Sequence, residues 1–301
     1  MWARLGEAYA KGGKQVASLK ALYQALELAP EMWMCYYHIG NVHQQLGTYG
    51  QAVSAYERIL EHRPTEAGVV LALSEAWLAL GRSESSLGLR GRAYTSSLNA
   101  IEQVATIIPS TGLYRRITWK LFADACLTIV SCVSDEDNLS QAHAAIQPIL
   151  QHLVTVDTDK KAVVPGVVNA ASLLNMSSFG RDDMLKVAIA AFAYRADLLK
   201  YDTKIAELPL YDLACALHLF ATELSAINPK HQQIAACQKA AIIAIRNALE
   251  TDSASPTLWN AFGIISASAS AQLAQHAYVI SLQLEPKVRS SRQNLTGKIF
   301  F

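Results

Sequence analysis

The sequence predicts an all-α protein, a solenoid of antiparallel helix pairs, from three recurring features. A set of positions near the start returns thirty-four residues later. The matched pairs are Trp2 and Tyr36, Leu5 and Ile39, Gly6 and Gly40, Tyr9 and His43, Ala25 and Ile59, and Pro30 and Pro64. Glycines at 13, 47 and 81 follow the same step, and the spacing of Trp2, Leu5, Gly6 and Tyr9 returns at 119–126 and again from Trp259.

A period of thirty-four residues is typical of the tetratricopeptide repeat, in which each unit is a pair of helices. Such a pair cannot bury its apolar face alone and must stack on its neighbours. The predicted fold is therefore a tetratricopeptide-repeat, right-handed superhelical solenoid of antiparallel helix pairs.

The glycines of the pattern are predicted to have two different roles. Gly6 and Gly40 lie within the first helix of their units, where glycine costs about 1 kcal/mol relative to alanine. Glycine is tolerable there if it lets the second helix approach closely. Gly13, Gly47 and Gly81 are predicted to end the first helix, because glycine adopts positive φ at little cost.

The second helix of each unit is predicted from its proline and its apolar stripe. Pro30 and Pro64 end it, because proline has no N–H and its ring clashes one turn back. The stripe occupies equivalent positions in the two units: Ser18 and Ala52, Leu22 and Tyr56, Ala25 and Ile59.

The chain is predicted to have four parts. Repeats occupy 1–134, an irregular insertion with a helix occupies 135–181, further helical repeats occupy 182–286, and an aberrant or disordered tail occupies 287–301. The third repeat is expanded, because Pro109 follows Pro64 by forty-five residues instead of thirty-four. The eleven extra residues are predicted to lengthen the turn or the second helix, before one long helix over 93–108.

The remaining helices follow from apolar spacing and breaks. Helices are predicted over 139–154 with a kink at Pro148, and over 184–201, 210–227 and 230–249, with Pro209 and Pro229 as breaks. The final unit carries Trp259, Phe262, Gly263 and Ser266. Because no helix pair opens before Trp2 or closes after Pro286, the chain is expected to be a piece of a longer protein.

Composition excludes several functional classes. The net charge is +1, so no global field favours nucleic acid or acidic lipid. The five cysteines are odd in number and scattered, which favours a reduced, intracellular compartment. Charged residues interrupt the first fifteen positions, which argues against a signal peptide. No apolar run reaches the roughly 18 residues that span a bilayer, so no membrane association is expected.

Candidate chemistry is sparse. Cys35, His38 and His43 lie on one predicted helix, but a metal site needs three or four converging ligands, so packing roles are favoured for them. Cys126 and Cys132 also lack ligand spacing. The sequence holds no recognisable nucleophile, phosphate-binding or metalloprotease motif. We therefore predict no catalytic, cofactor-binding or metal-binding residues, no cofactor and no enzymatic activity.

Two sets of residues have alternative interpretations. Arginines that could touch an RNA backbone are Arg82, Arg90, Arg92, Arg115, Arg116, Arg289 and Arg292. No aromatic stacking set accompanies them, so solvated loops are favoured. Trp33, Tyr36 and Tyr37 cluster where the first two units meet, and a core between repeats is favoured over a groove for a partner.

Three stretches carry a resemblance to a known family. They are WARLGEAY at 2–9, WKLFADAC at 119–126, and LWNAFG at 258–263 followed by AQHAY at 274–278 and LEP at 284–286. Together with the expanded third repeat, they make the chain resemble the tetratricopeptide scaffold subunit of the superkiller (Ski) complex.

The resemblance implies a non-catalytic platform that holds a DExH-box RNA helicase and a WD40 subunit. Through the helicase, it implies a link to the cytoplasmic exosome in 3′–5′ mRNA decay and RNA surveillance. It implies no direct sequence-specific contact with nucleic acid, and a cytoplasmic location with the nucleus also open. The resemblance does not identify any individual residue of this chain that contacts a partner.

The alternative is an independent peptide-binding adaptor of the co-chaperone type. Such adaptors resemble one another in a clamp of Lys and Asn on the first helices of three repeats. The corresponding positions here are Ala3 and Glu7, Tyr37 and Asn41, and Leu71 and Glu75. Only Asn41 fits, and the glutamates would repel a carboxylate, so the scaffold interpretation is favoured.

Overall fold

A computed structural model describes residues 1–108, 115–134, 139–156, 163–174, 176, 178–202 and 207–284. Within these ranges the chain forms fourteen α-helices and one short hairpin of two strands. It divides into two compact units, residues 1–149 and 150–301. The predicted all-α repeat fold is confirmed.

The first unit consists of consecutive helices that pair in sequence order. They are α1 (Trp2–Lys11), α2 (Gln15–Leu28), α3 (Trp33–Gln45), α4 (Tyr49–Leu60), α5 (Ala67–Ser86), α6 (Arg90–Ile107), α7 (Arg115–Cys132) and α8 (Ser140–Val156). The last of these continues beyond the division at 149. Short turns join α1 to α2, α3 to α4 and α5 to α6, so each pair is antiparallel and packs along its length.

The first two repeats follow the predicted packing. A Cβ added at Gly6 would lie 2.6 Å from Leu22 Cγ, and one added at Gly40 would lie 2.5 Å from the Tyr56 ring. The hydroxyl of Ser18 donates a 2.7 Å hydrogen bond to the Gly6 carbonyl. The missing side chains therefore let the second helix lie directly against the first.

The turn glycines are confirmed at two of the three predicted positions. Gly13 and Gly47 have φ of 71° and 73°. Gly81 was predicted to end a helix, and this is wrong: it is buried within α5. The turn after α5 is made by Gly88, with φ of 76°.

Gly81 instead occupies the position of Gly6 and Gly40. A Cβ there would lie 2.7 Å from Ser97 Oγ on α6. The seven-residue step from Gly6 to Gly13 and from Gly40 to Gly47 returns from Gly81 to Gly88. The extra residues were predicted to lengthen the turn or the second helix, but they lengthen both helices: α5 has 20 residues against 13 in α3, and α6 has 18 against 12 in α4.

Apolar side chains from successive helices form a continuous core in the first unit. One cluster joins α4 to α5 and consists of Ala52, Val53, Tyr56, Ile59, Val69, Ala72, Leu73 and Ala76. A second joins α2 to α3 and α4 and consists of Leu22, Ala25, Leu26, Cys35, Ile39 and Ala55. The predicted stripe of the second helices is buried throughout.

The second unit begins within α8 and contains the hairpin and six further helices. After the hairpin of β1 (Val163–Val164) and β2 (Val168–Asn169) come α9 (Ala170–Leu174), α10 (Arg181–Leu199), α11 (Glu207–Ile227), α12 (Gln233–Thr251), α13 (Pro256–Ser266) and α14 (Ala271–Leu284). Consecutive helices from α10 to α14 pack on one another. In the last pair, Gly263 faces the ring of Tyr278, as Gly40 faces Tyr56.

Four predicted helix starts differ from the structure by three residues. Helix α6 begins at Arg90 and not at 93, and α12 begins at Gln233 and not at 230. Helix α10 begins at Arg181 and not at 184, because the Asp183 carboxylate accepts a 3.2 Å hydrogen bond from the Gly180 N–H, which is one of the two bonds of a capping box. Helix α11 begins at Glu207, so Pro209 lies in its first turn and not at a break. Proline is tolerated there because the first N–H groups of a helix have no partner within it.

Other predicted features have mixed outcomes. Pro148 lies inside α8 as predicted, and the helix predicted over 230–249 is α12. Pro109, the turn at 135–138, Pro286 and the tail at 287–301 lie outside the described residues. The part boundaries at 134, 181 and 286 stay predictions.

Helix α11 corrects the expectation about apolar length. It is long and apolar enough, by length and composition, to cross a membrane. Two of its carboxylates, however, form ion pairs with α10: Arg181 with Glu223 and Arg195 with Asp212. Its buried residues include Leu217 and Phe220, and the helix packs on α10 and α12. These contacts are those of a helix within a helical repeat.

Candidate functional site

The α5–α7 groove is a concave surface that we assign as the candidate site. It lies between the first helices of the third and fourth repeats, with Tyr49 from the start of α4 at one edge. Its volume is about 610 Å³. Its lining residues are Tyr49, Glu75, Leu78, Ala79, Arg82, Ser83, Ile117, Lys120, Leu121 and Asp124.

The groove combines apolar side chains with a charged cluster. Leu78 and Leu121 are buried in its wall, whereas Ile117 is about half exposed, at 46%. The Asp124 carboxylate forms two ion pairs. Its oxygen lies 2.9 Å from an Arg82 nitrogen and 3.5 Å from the Lys120 nitrogen. Asp124 therefore lies between two cations, which restrict the orientation of its carboxylate at this end of the groove.

Glu75 gives the groove its second electrostatic feature. Burial raises the pKa of the Glu75 carboxyl above its ordinary value. No ion pair to this carboxyl occurs in the described parts of the chain. A cation on an incoming partner would therefore stabilise the charged carboxylate, so the groove suits a peptide or helix with apolar and cationic residues.

Asn41 and Gln44 on α3 take part in a hydrogen-bond network within the second repeat. Tyr56 Oη donates a 2.7 Å hydrogen bond to the Asn41 side-chain oxygen and lies 3.3 Å from Gln44 Oε1. Burial raises the pKa of the Tyr56 hydroxyl, and the nearby Tyr37 and Glu75 add to this shift. Asn41, the single residue that fits a carboxylate clamp, is thus engaged within its own repeat.

The three clustered aromatic residues were predicted to lie where the first two repeats meet, and only Tyr36 packs against the cluster that joins α2 to α3 and α4. Trp33, Tyr36 and Tyr37 are partly buried and pack against the cluster formed by α4 and α5. The Tyr37 and Tyr56 ring centroids are 5.9 Å apart. These contacts are those of a core between repeats, while one side of Trp33 and Tyr36 borders a surface pocket.

Two of the arginines considered for RNA contact are in ion pairs. Arg82 pairs with Asp124, and Arg92 Nε lies 2.9 Å from the buried Glu84 carboxylate. Arg90 is exposed and borders a separate pocket between α6 and α7. The side chain of Arg115, together with Arg289 and Arg292, lies outside the described residues.

The cysteine and histidine candidates do not converge. Cys35 is fully buried, and burial raises the pKa of its thiol. The His43 ring nitrogen Nδ1 lies 2.8 Å from Thr48 Oγ1, while His38 packs edge-on against Tyr37. In the described residues no group of three or more His, Cys, Asp or Glu side chains is placed to hold a metal ion. Cys126 and Cys132 are buried thiols.

Several polar contacts were not anticipated from the sequence. Glu84 accepts a 2.7 Å hydrogen bond from Ser96 Oγ in addition to its pair with Arg92. Glu84 follows Gly81 by three residues, as His43 follows Gly40. The corrected register of the third repeat therefore predicts a buried polar residue at this position. The ion pairs between α10 and α11, in contrast, could not be predicted from the spacing of residues in the sequence.

Comparisons with known proteins identify a matching family profile and similar sequences. A family profile described as tetratricopeptide repeat matches residues 35–66, which contain α3 and α4. Superkiller protein 3 of Schizosaccharomyces pombe is 27% identical over 283 residues, covering 91% of this chain and 19% of that protein. Tetratricopeptide repeat protein 37 of Xenopus laevis is 26% identical over 298 residues, covering 98% of this chain and 17% of that protein.

Among solved structures, a tetratricopeptide repeat protein from Parabacteroides merdae aligns with 98% of this chain and 96% of its own, at 10% identity and a TM-score of 0.39. The chain spans about a fifth of the length of the curated relatives it matches. It has the tetratricopeptide-repeat fold, and over nearly its whole length it is similar to one part of superkiller protein 3.

Proposed function

We propose that the chain is part of a non-catalytic scaffold of a superkiller complex. In this role it organises a DExH-box RNA helicase and a WD40 subunit, and through them serves cytoplasmic, exosome-linked 3′–5′ mRNA decay. The observation that carries the proposal is the similarity to superkiller protein 3, which extends over 91% of this chain.

The surface chemistry supports a binding role. The α5–α7 groove offers apolar contacts beside a charged cluster, and such mixed surfaces suit recognition of a protein segment. The partly buried Glu75 adds a preference for a cationic partner residue. Catalysis would need a nucleophile, an acid–base pair or a metal, and the described residues present no such convergence.

The adaptor alternative has less support. A carboxylate clamp needs cations and amides that face outward, but Asn41 is hydrogen-bonded to Tyr56 and Glu75 carries the wrong charge. No specific observation favours a co-chaperone role.

The proposal is tested by affinity purification of the endogenous protein, tagged at its natural length, followed by a high-salt wash and mass spectrometry. The expected result is recovery of a DExH-box helicase and a WD40 protein in a fixed ratio. Recovery of chaperones without these two proteins would overturn the scaffold proposal and favour the adaptor. Cell fractionation of the same strain would test the proposed cytoplasmic location.

A further inference from the structure

The pocket next to Trp33 and Tyr36 is distinct from the α5–α7 groove. It lies where the turn after α2 meets the start of α3 and the end of α4, and its volume is about 380 Å³. Its lining residues are Pro30, Glu31, Trp33, Tyr36, Arg58, Ile59, His62 and Arg63. We call it the arginine–aromatic pocket.

Two arginines in this pocket each lie over an aromatic ring. The guanidinium carbon of Arg63 is 4.7 Å from the Trp33 ring centroid, and that of Arg58 is 5.2 Å from the Tyr36 ring centroid. Stacking restricts these side chains and leaves their N–H edges directed away from the rings. The stacking therefore favours one orientation of each guanidinium group before any ligand arrives.

Neither arginine forms an ion pair within the described residues, although other arginines of the chain do. Arg82, Arg92, Arg181 and Arg195 all have carboxylate partners. Glu31 is the single acidic residue of the pocket lining, beside two permanent cations and His62. The pocket therefore has an unmatched positive charge on a chain whose overall net charge is only +1.

We propose that the arginine–aromatic pocket binds an acidic peptide segment of a protein partner, through two carboxylate side chains. A planar carboxylate accepts two parallel N–H bonds from one guanidinium group, which a stacked arginine presents in fixed geometry. The exposed apolar wall at Pro30 accommodates the methylene groups of the acidic side chains.

RNA fits this pocket less well. Proteins that bind single strands without sequence preference stack bases on exposed aromatic faces. Here the guanidinium groups of Arg58 and Arg63 lie over the Tyr36 and Trp33 rings, and both rings are partly buried against the core. A base would have to displace a guanidinium group to stack on the same ring face, while a carboxylate needs only the guanidinium edges.

The test measures the fluorescence anisotropy of a fluorescein-labelled hexaglutamate peptide titrated with the full chain, with hexaglutamine as the uncharged probe. The variant Arg58→Gln/Arg63→Gln is expected to weaken hexaglutamate binding at least about tenfold, which corresponds to 1.4 kcal/mol. The matched control Arg4→Gln/Arg246→Gln removes the same charge from exposed arginines of α1 and α12 and is expected to leave binding unchanged.

A second pair of measurements separates a shaped site from a general charge effect. Arg58→Lys/Arg63→Lys keeps both charges but loses the planar fork, so binding is expected to fall severalfold. Equal loss in the control and pocket variants would overturn the proposal, as would full binding by the lysine variant. Tighter binding of an oligouridine probe that depends on the same two arginines would also overturn it, in favour of RNA. The result of this binding test does not depend on whether the chain is part of a superkiller complex.

Discussion

Gly40 lies so close to Tyr56 that a single methyl group decides how well α3 and α4 pack. We expect Gly40→Ala to lower the free energy of unfolding by about 1–3 kcal/mol, because the added Cβ would overlap a fully buried ring. Gly40→Leu should cost more. Urea denaturation of the purified chain measures both changes.

Gly50 provides the matched control in the next helix. It is exposed on α4, and a Cβ there would meet nothing within 4 Å. Gly50→Ala should therefore stabilise the protein by about 0.5–1 kcal/mol, because only the helix propensity changes. If Gly40→Ala were as stable as Gly50→Ala, the close approach between α3 and α4 would not exist.

His43 links stability to pH. Burial lowers the pKa of His43 below its ordinary value, so the unfolded chain binds a proton more readily than the folded chain. Stability is then lost as pH falls below the unfolded pKa of about 6.5. Burial lowers the pKa of His218 in the same direction. His43→Gln should therefore reduce the loss of stability on acidification without abolishing it.

The measurement compares urea midpoints of the wild type and His43→Gln at neutral pH and near pH 5.5. Glutamine can still hydrogen-bond to Thr48, so its neutral-pH cost reports mainly packing. An unchanged difference between the two pH values would mean that His43 is not the buried titrating group.

At the scale of the helix pair, α5 and α6 show why regular spacing can conceal an insertion. Seven extra residues in α5 are close to two helical turns, so the apolar face is preserved and the register of the third repeat remains ambiguous. The pair Leu80–Gly81 then resembles Leu46–Gly47 in sequence. A glycine alone does not reveal whether it faces a neighbouring helix or ends its own, so the structure was needed to assign Gly81.

The corrected register is tested by a double-mutant cycle between α5 and α6. Ser97 Oγ is buried without a hydrogen-bond partner in the described chain, so Ser97→Ala should stabilise the protein by about 1 kcal/mol. Gly81→Ala should destabilise it by about 1–2 kcal/mol. In the Ser97→Ala background this cost should fall, because the nearest atom to the added methyl group is gone.

Additive effects in that cycle would contradict the contact between Gly81 and Ser97. Gly88→Ala serves as a comparison, because its destabilising effect should have a different cause. Its φ is positive and its Cβ would meet nothing within 4 Å. Its cost should therefore arise from backbone strain and be independent of Ser97.

Helices α10 and α11 are joined by two ion pairs. Arg195 and Asp212 are largely buried, with side chains 8% and 18% exposed. Asp212→Asn should destabilise the chain by about 3 kcal/mol, because it removes the negative charge that faces the largely buried guanidinium group. The double variant Arg195→Met/Asp212→Leu should recover much of this loss. Thermal or urea unfolding provides the measurement.

The pair of Lys200 with Asp197, at the end of α10, serves as an exposed comparison. Its nitrogen and oxygen are 2.8 Å apart, but 45% of the lysine side chain is exposed. Lys200→Met should change the free energy of unfolding far less than Asp212→Asn does, because the exposed pair is screened by solvent. Equal effects at the two pairs would show that burial does not govern their contribution.

Across the whole molecule, the repeat fold was predictable because glycine, proline and apolar positions recur in sequence. The candidate site was less predictable. Its lining comes from α4, α5 and α7, and the pairing of Arg82 with Asp124 joins residues forty-two positions apart. Spacing along one helix contains no information about such contacts. The stacking of Arg58 and Arg63 on α3 residues is hidden from sequence for the same reason.

The scaffold proposal makes its most direct prediction about the mass of an assembly. We would co-express the natural-length protein with the DExH-box helicase and the WD40 subunit of the same organism, and measure the mass of the purified assembly by light scattering in high salt. We expect one stable species containing all three proteins, which forms only when the tetratricopeptide protein is present. Separate elution of the three proteins, or a helicase–WD40 complex that forms equally well without it, would contradict the scaffold role.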